Sequence, residues 1–120
     1  MKEEKFRVIQ FTRDLILKID MELDNFPKKD IDIKIRIRNE SYNLLEILYK
    51  ANASKDNKYK SKLLDDAIAK IKLSDFLINL SYDKKLIPNK KYLKLGYIIN
   101  DIGKYLMGWK KNIEQQKENQ

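Results

Sequence analysis

The chain has 120 residues, with 26 Lys+Arg against 18 Asp+Glu for a formal net charge of +8, and 42% hydrophobic beside 37% charged residues, the proportions of a single heavily charged domain. It contains no Cys and no His, which removes thiol and imidazole nucleophiles, Ser-His-Asp triads, zinc cages and disulfide frameworks. Only two Pro and three Gly interrupt it, so long helices are expected; with no signal-like apolar stretch after Met1 and no apolar run near the roughly 18 residues of a membrane span, a cytoplasmic location is expected.

The first periodic segment runs over about 6–24. Val8, Phe11, Leu15, Ile19 and Leu23, with Ile16 alongside, recur at spacings of three and four, the period of one helix face. Asp24, Asn25, Phe26 and Pro27 should stop it, because Pro cannot donate to a preceding turn and pushes its neighbour out of the helical region. Asp30 or Asp32 can then cap the next helix.

Residues 31–37 read as a half-buried strand when taken alone, since Ile31, Ile33, Ile35 and Ile37 alternate with Asp32, Lys34 and Arg36. A longer window changes the reading to a helix over 31–53. At 100° per residue Ile31, Ile35, Tyr42 and Tyr49 form one stripe, and Ile33, Ile37, Leu44, Leu48 and Ala51 form a second. Two apolar stripes suit a helix that faces its own bundle on one side and a partner subunit on the other. The interface is expected on Ile33, Ile37, Leu44 and Leu48, leaving open which stripe turns inward.

A third helix is expected over about 59–83, on Leu63, Leu64, Ala67, Ile68, Ile71, Ile78 and Tyr82. Leu73, Phe76, Leu77 and Leu80 lie opposite, and Leu73, Phe76 and Leu80 are assigned to the same interface. Pro88 breaks the pattern. From about 89 to 113 a fourth helix places Leu95, Ile98, Ile99, Ile102, Leu106, Trp109 and Ile113 on one broad face, followed by a polar tail over 114–120. Gly103 and Gly108 cost about 1 kcal/mol each in a helix interior, so another helix is expected to approach closely there. The tyrosines, at helical spacing, are expected mainly at core and interface positions. Short connections between four such helices predict an all-α, antiparallel up-down-up-down bundle.

In that topology the first and third connections share one end. Lys28 and Lys29 should therefore neighbour Lys84, Lys85, Lys90 and Lys91, with Lys34, Arg36, Arg38 and Lys94 in the adjoining turns. Asp30, Asp32 and Asp83 are the only relief, and phosphates are the natural counterions of such a field. The charge is localised: residues 25–60 carry nine basic and five acidic side chains and 84–120 nine and three, whereas 1–24 carry five and six and 61–83 three and four. The carboxylates Glu3, Glu4, Asp65, Asp66, Asp83 and Asp101 have the spacing of caps and solvated faces, since adjacent pairs point about 100° apart on a helix. A di-iron bundle needs Glu-x-x-His pairs, which the composition excludes. No enzymatic activity, metal or cofactor is expected.

Four segments, in order, carry a resemblance: Phe26 to Asp30; Arg36-Ile37-Arg38 with Leu44-Leu45-Glu46 and Ala51-Asn52; Leu77 to Leu86 with Tyr82-Asp83; and Asp101-Ile102-Gly103-Lys104-Tyr105-Leu106-Met107-Gly108-Trp109. Over about residues 6–113 the chain resembles the accessory variability determinant (Avd) family of diversity-generating retroelements, within the wider group of four-helix-bundle proteins that includes those of ribosomal-RNA intervening sequences. The resemblance implies a non-enzymatic protein that assembles as a homopentameric barrel and binds a reverse transcriptase. It also implies binding of nucleic acid, template RNA or cDNA, through a basic surface in support of mutagenic reverse transcription. By the same resemblance Lys28, Lys29, Arg36, Arg38, Lys85 and Lys104 match basic positions of the family. The alternatives are an oligomeric protein-interaction module, or an intervening-sequence protein without a reverse-transcriptase partner.

Overall fold

Helix α1 spans Lys2–Glu22, α2 Ile31–Ala53, α3 Asn57–Asp83 and α4 Asn89–Glu118, with one 3-10 turn at Lys28–Asp30. These are the α-helices of the residues that the structure, a computed structural model, describes: 2–23 and 26–118, with side chains over 5–23 and 26–116. Asp24 and Asn25, expected to help stop α1, lie outside that set, as do the side chains of Glu3 and Glu4. No strand occurs among the described residues, and the Ile alternation over 31–37 is helical. α4 continues through the polar residues after Ile113 as far as Glu118.

Among the described residues each helix backbone lies close to those of its two neighbours around the bundle, with α1 closing onto α4 and no close approach between diagonal helices. Ion pairs show the alternation of direction. Lys94 near the start of α4 reaches Glu22 at the end of α1 at 3.5 Å. Lys110 near the end of α4 pairs with Asp65 near the start of α3. The result is an antiparallel four-helix bundle of 52 × 22 × 20 Å, elongated because α4 alone is about 45 Å at 1.5 Å per residue.

The core runs the length of this bundle: Val8, Leu15, Ile19 and Leu23 from α1, Leu63, Leu64, Ala67, Ile71 and Ile78 from α3, and Leu95, Ile99, Ile102, Leu106, Trp109 and Ile113 from α4. In α2 it takes Ile37, Leu44, Leu48 and Ala51, and the first three are 0% exposed within a single chain. This corrects their assignment to a subunit interface. Ile33 and Leu73, also assigned there, are half-buried and pack on the core, and Leu80 is half-buried; of the set only Phe76, 58% exposed, stands free. The outward stripe of α2 is the one with Ile31, Ile35, Tyr42 and Tyr49. Phenol groups explain the choice: each needs a polar partner if buried, whereas Ile37, Ser41, Leu44, Leu48 and Ala51 form a seam of aliphatic and small residues at helical spacing.

Serines and a threonine complete that seam. Thr12, Ser41, Ser74 and Ser81 are buried, and their hydroxyls donate back to backbone carbonyls of their own helices: Thr12 to Val8 at 2.8 Å, Ser41 to Arg38 at 2.7 Å, Ser74 to Lys70 at 2.9 Å and Ser81 to Leu77 at 2.8 Å. Satisfied in this way, a small polar residue occupies a core position without an orphaned donor.

Candidate nucleic-acid interface

At one end of the bundle, buried residues hold exposed lysines in place. Phe26 is buried in the core, and Pro27, at φ −60° and ψ 150°, starts the 3-10 turn that Asp30 closes by donating its N–H to the Pro27 carbonyl at 3.0 Å. Lys28 and Lys29 are therefore presented outward between two buried neighbours. Asp30 makes no side-chain cap, contrary to the capping expected from sequence. Its carboxylate instead accepts a hydrogen bond from Lys84 Nζ at 2.6 Å, joining the start of α2 to the end of α3.

The α3–α4 link forms the other half of this end. The N–H of Leu86 reaches back to the Ser81 carbonyl at 2.8 Å, and Lys85 has φ 62°. This is a left-handed helix terminus, a position that favours Gly because a Cβ there costs about 1 kcal/mol or more. Ile87 is buried beneath the link, and Tyr92 donates its N–H to Pro88 at the start of α4.

The eleven basic residues expected to bind nucleic acid divide by their neighbours. Lys28, Lys29, Lys85 and Lys90 are exposed and make no ion pair with a described residue. Lys84, Arg36, Arg38 and Lys94 are paired with Asp30, Glu40, Asp20 and Glu22 respectively, at 2.6, 2.8, 3.1 and 3.5 Å. Lys34 and Lys91 are half-buried, and Lys91 has a partner of its own. Lys104 stands about 20 Å along α4 from Lys90 at 1.5 Å per residue, on the α3–α4 groove with Lys72. It belongs to another part of the surface.

Buried carboxylates are what the sequence reading missed. Glu40 is buried between α2 and α3, bonded by Arg36 and 2.8 Å from Lys70 Nζ. Burial pushes its carboxyl up, but the hydrogen bonds and charges of Lys70 and Arg36 outweigh that and hold it below the usual value. The Arg36–Glu40 spacing of four is a helix ion-pair signal legible in sequence; the long-range bonds to Lys70 and from Lys84 to Asp30 are not.

The tyrosines divide between the bundle surface and the edge of its core. Tyr42, Tyr49, Tyr59, Tyr82 and Tyr97 are exposed, while Tyr92 and Tyr105 are half-buried against the core. Tyr82 stacks on Tyr92 with centroids 4.2 Å apart and planes 9° from parallel, and the Tyr92 hydroxyl donates to Asn79 at 2.6 Å. Beside this pair an open cleft of about 660 Å³ is lined by Tyr82, Asp83, Lys85, Leu86, Ile87, Pro88 and Asn89.

The α3–α4 groove holds a last correction. A Cβ built on Gly103 would meet nothing within 4 Å, so no described helix approaches it closely. Gly96 is equally open, and both line a groove of about 640 Å³ with Ile68, Asn100 and Met107.

In comparisons with known proteins, no curated protein matches the chain. A family model described as bAvd-like matches residues 5–113.

Proposed function

The chain belongs to the bAvd-like family, an accessory and non-catalytic kind of protein, and from that premise we propose that it serves a diversity-generating retroelement by binding the reverse transcriptase and its template RNA or cDNA. The observation that carries the nucleic-acid part is the group of exposed lysines that make no ion pair with a described residue, Lys28, Lys29, Lys85 and Lys90, at one end of the bundle. Phosphate contacts from such groups position a strand and release counterions, with little sequence preference of their own. The work done is positioning of template beside polymerase.

Assembly belongs to the same proposal. The outward stripe of α2, Ile31, Ile35, Tyr42 and Tyr49, and Phe76 on α3 leave apolar surface in water, and that exposure supports a homo-oligomer in which further copies cover it. We read that oligomer as a pentamer, from the resemblance to the Avd family. No described helix is long and apolar enough to cross a membrane.

Light scattering coupled to size exclusion tests the reading, with the protein alone and with a structured RNA at low and high salt. The expected result is a mass of five chains that carries RNA only at low salt. Co-purification of the cognate reverse transcriptase tests the partner. An oligomer that ignores RNA at every salt concentration would leave a protein-interaction module, the reading that the apolar α2 stripe favours when it stands alone.

A further inference from the structure

We propose that the Tyr82–Tyr92 pair at the α3–α4 corner is a stacking platform for an unpaired base of single-stranded nucleic acid, with Lys85 and Lys90 on the adjoining phosphates. The inference rests on the nucleic-acid reading above and adds to it the strand form recognised and the side chain that recognises it.

Three features of the corner converge. The first is an aromatic face backed by a second ring. Tyr92 is half-buried on the core and its hydroxyl is tied to Asn79, so Tyr82 stacks at 4.2 Å and 9° on a ring that is itself anchored. Tyr82 nevertheless remains 37% exposed. A base entering the cleft that Tyr82 lines would meet an aromatic pair already stacked.

The second is the cleft that Tyr82 borders. At about 660 Å³ it is within the range of small-molecule sites, and Leu86, Ile87 and Pro88 supply apolar walls. Asn89 supplies an amide that can both donate to and accept from a base edge. Asp83 is the one acidic side chain on the lining, and the lysines at 84, 85, 90 and 91 surround it in sequence.

The third is the backbone at Lys85. A left-handed residue that closes a helix favours Gly, yet here it is Lys, at φ 62°. The strained conformation is kept together with a cationic side chain that lines the same cleft, and strain of this kind gathers at binding sites. Together these place a base-sized aromatic face beside phosphate-seeking charge. In a duplex the bases already stack on one another, so this corner favours a single strand.

Fluorescence anisotropy with a labelled oligoadenylate, and with a duplex of the same length, tests the assignment. Tyr82→Ala should weaken oligoadenylate binding by roughly 5- to 150-fold, the range of base stacking on aromatic side chains, while duplex binding stays unchanged. Tyr82→Leu, which keeps an apolar cover over Tyr92 but has no π face, should lose as much, and Tyr82→Trp should retain affinity. Lys85→Gly should raise the melting temperature while weakening both probes. Oligoadenylate affinity unchanged in Tyr82→Ala and Tyr82→Leu overturns the platform. If the parent protein binds the duplex alone, the platform falls and the nucleic-acid reading stands; if it binds neither probe, both fall.

Discussion

Lys84 Nζ lies 2.6 Å from Asp30 Oδ1, fastening the end of α3 to the turn that opens α2 across 54 positions of sequence. Asp30 is buried, and its Oδ2 has no hydrogen-bond partner among the described residues, so the carboxylate depends on this lysine. Lys84→Met should therefore destabilise the bundle by about 1–3 kcal/mol, and Asp30→Asn in the same chain should recover part of the loss. Urea denaturation of the two single variants and the double variant measures the coupling; strict additivity would refute it.

Lys28 and Lys29 lie beside that bond yet are exposed and held by no described carboxylate. Changing both to Glu should leave helicity intact and weaken RNA binding. Removal of two phosphate contacts should lower the slope of log affinity against log salt by about 2. An unchanged slope excludes the turn from the interface. Lys84→Met provides the contrast, since its charge is already matched by Asp30 and it should alter stability more than the salt slope.

The two stripes of α2 predict opposite outcomes for the same substitution. Ile37→Lys places a charge in a site that is 0% exposed and should unfold the chain. Ile35→Lys, on the exposed stripe at 49%, should leave a folded bundle that no longer assembles. Circular dichroism read beside light scattering separates the two. Full assembly by Ile35→Lys would move the subunit interface away from α2.

Glu40 links stability to pH. Its carboxyl is held below the usual value in the folded chain, so its contribution is present above the unfolded carboxylate pKa of about 4.3 and is lost as pH falls through the lower folded value. Glu40→Gln should lower the melting temperature at neutral pH and flatten its fall in acid. Equal acid dependence of variant and parent would show that the Arg36 and Lys70 bonds do not govern that range.

Gly103 faces open space rather than another helix. Gly103→Ala should accordingly stabilise an isolated chain by about 1 kcal/mol. A loss of stability in denaturant titration would mean that the α3–α4 groove is filled in solution, by another copy or by another part of the chain.

Much of the architecture is written in local pattern. The core faces of α1 and α4 are legible as Val8, Leu15, Ile19 and Leu23 and as Leu95, Ile99, Ile102, Leu106, Trp109 and Ile113, because apolar residues at spacings of three and four mark one side of a helix whatever it packs on. The Avd-like motifs were equally readable, and the family match over residues 5–113 agrees with them. Short connections implied that the basic segments meet at one end.

Where a helix is apolar on two sides, periodicity alone does not decide which side is buried. In α2 the burial of Ile37, Leu44 and Leu48 and the exposure of Ile35, Tyr42 and Tyr49 follow from the position of α1 and α3 around it and from the cost of burying phenols without partners. Buried Ser41, Ser74 and Ser81 read as polar in sequence, and only their bonds to their own helices make them core. The same holds for charge. Composition establishes a +8 chain, but which lysines remain free for a ligand is decided by carboxylates brought from distant positions, as Asp30 is to Lys84 and Glu40 to Lys70.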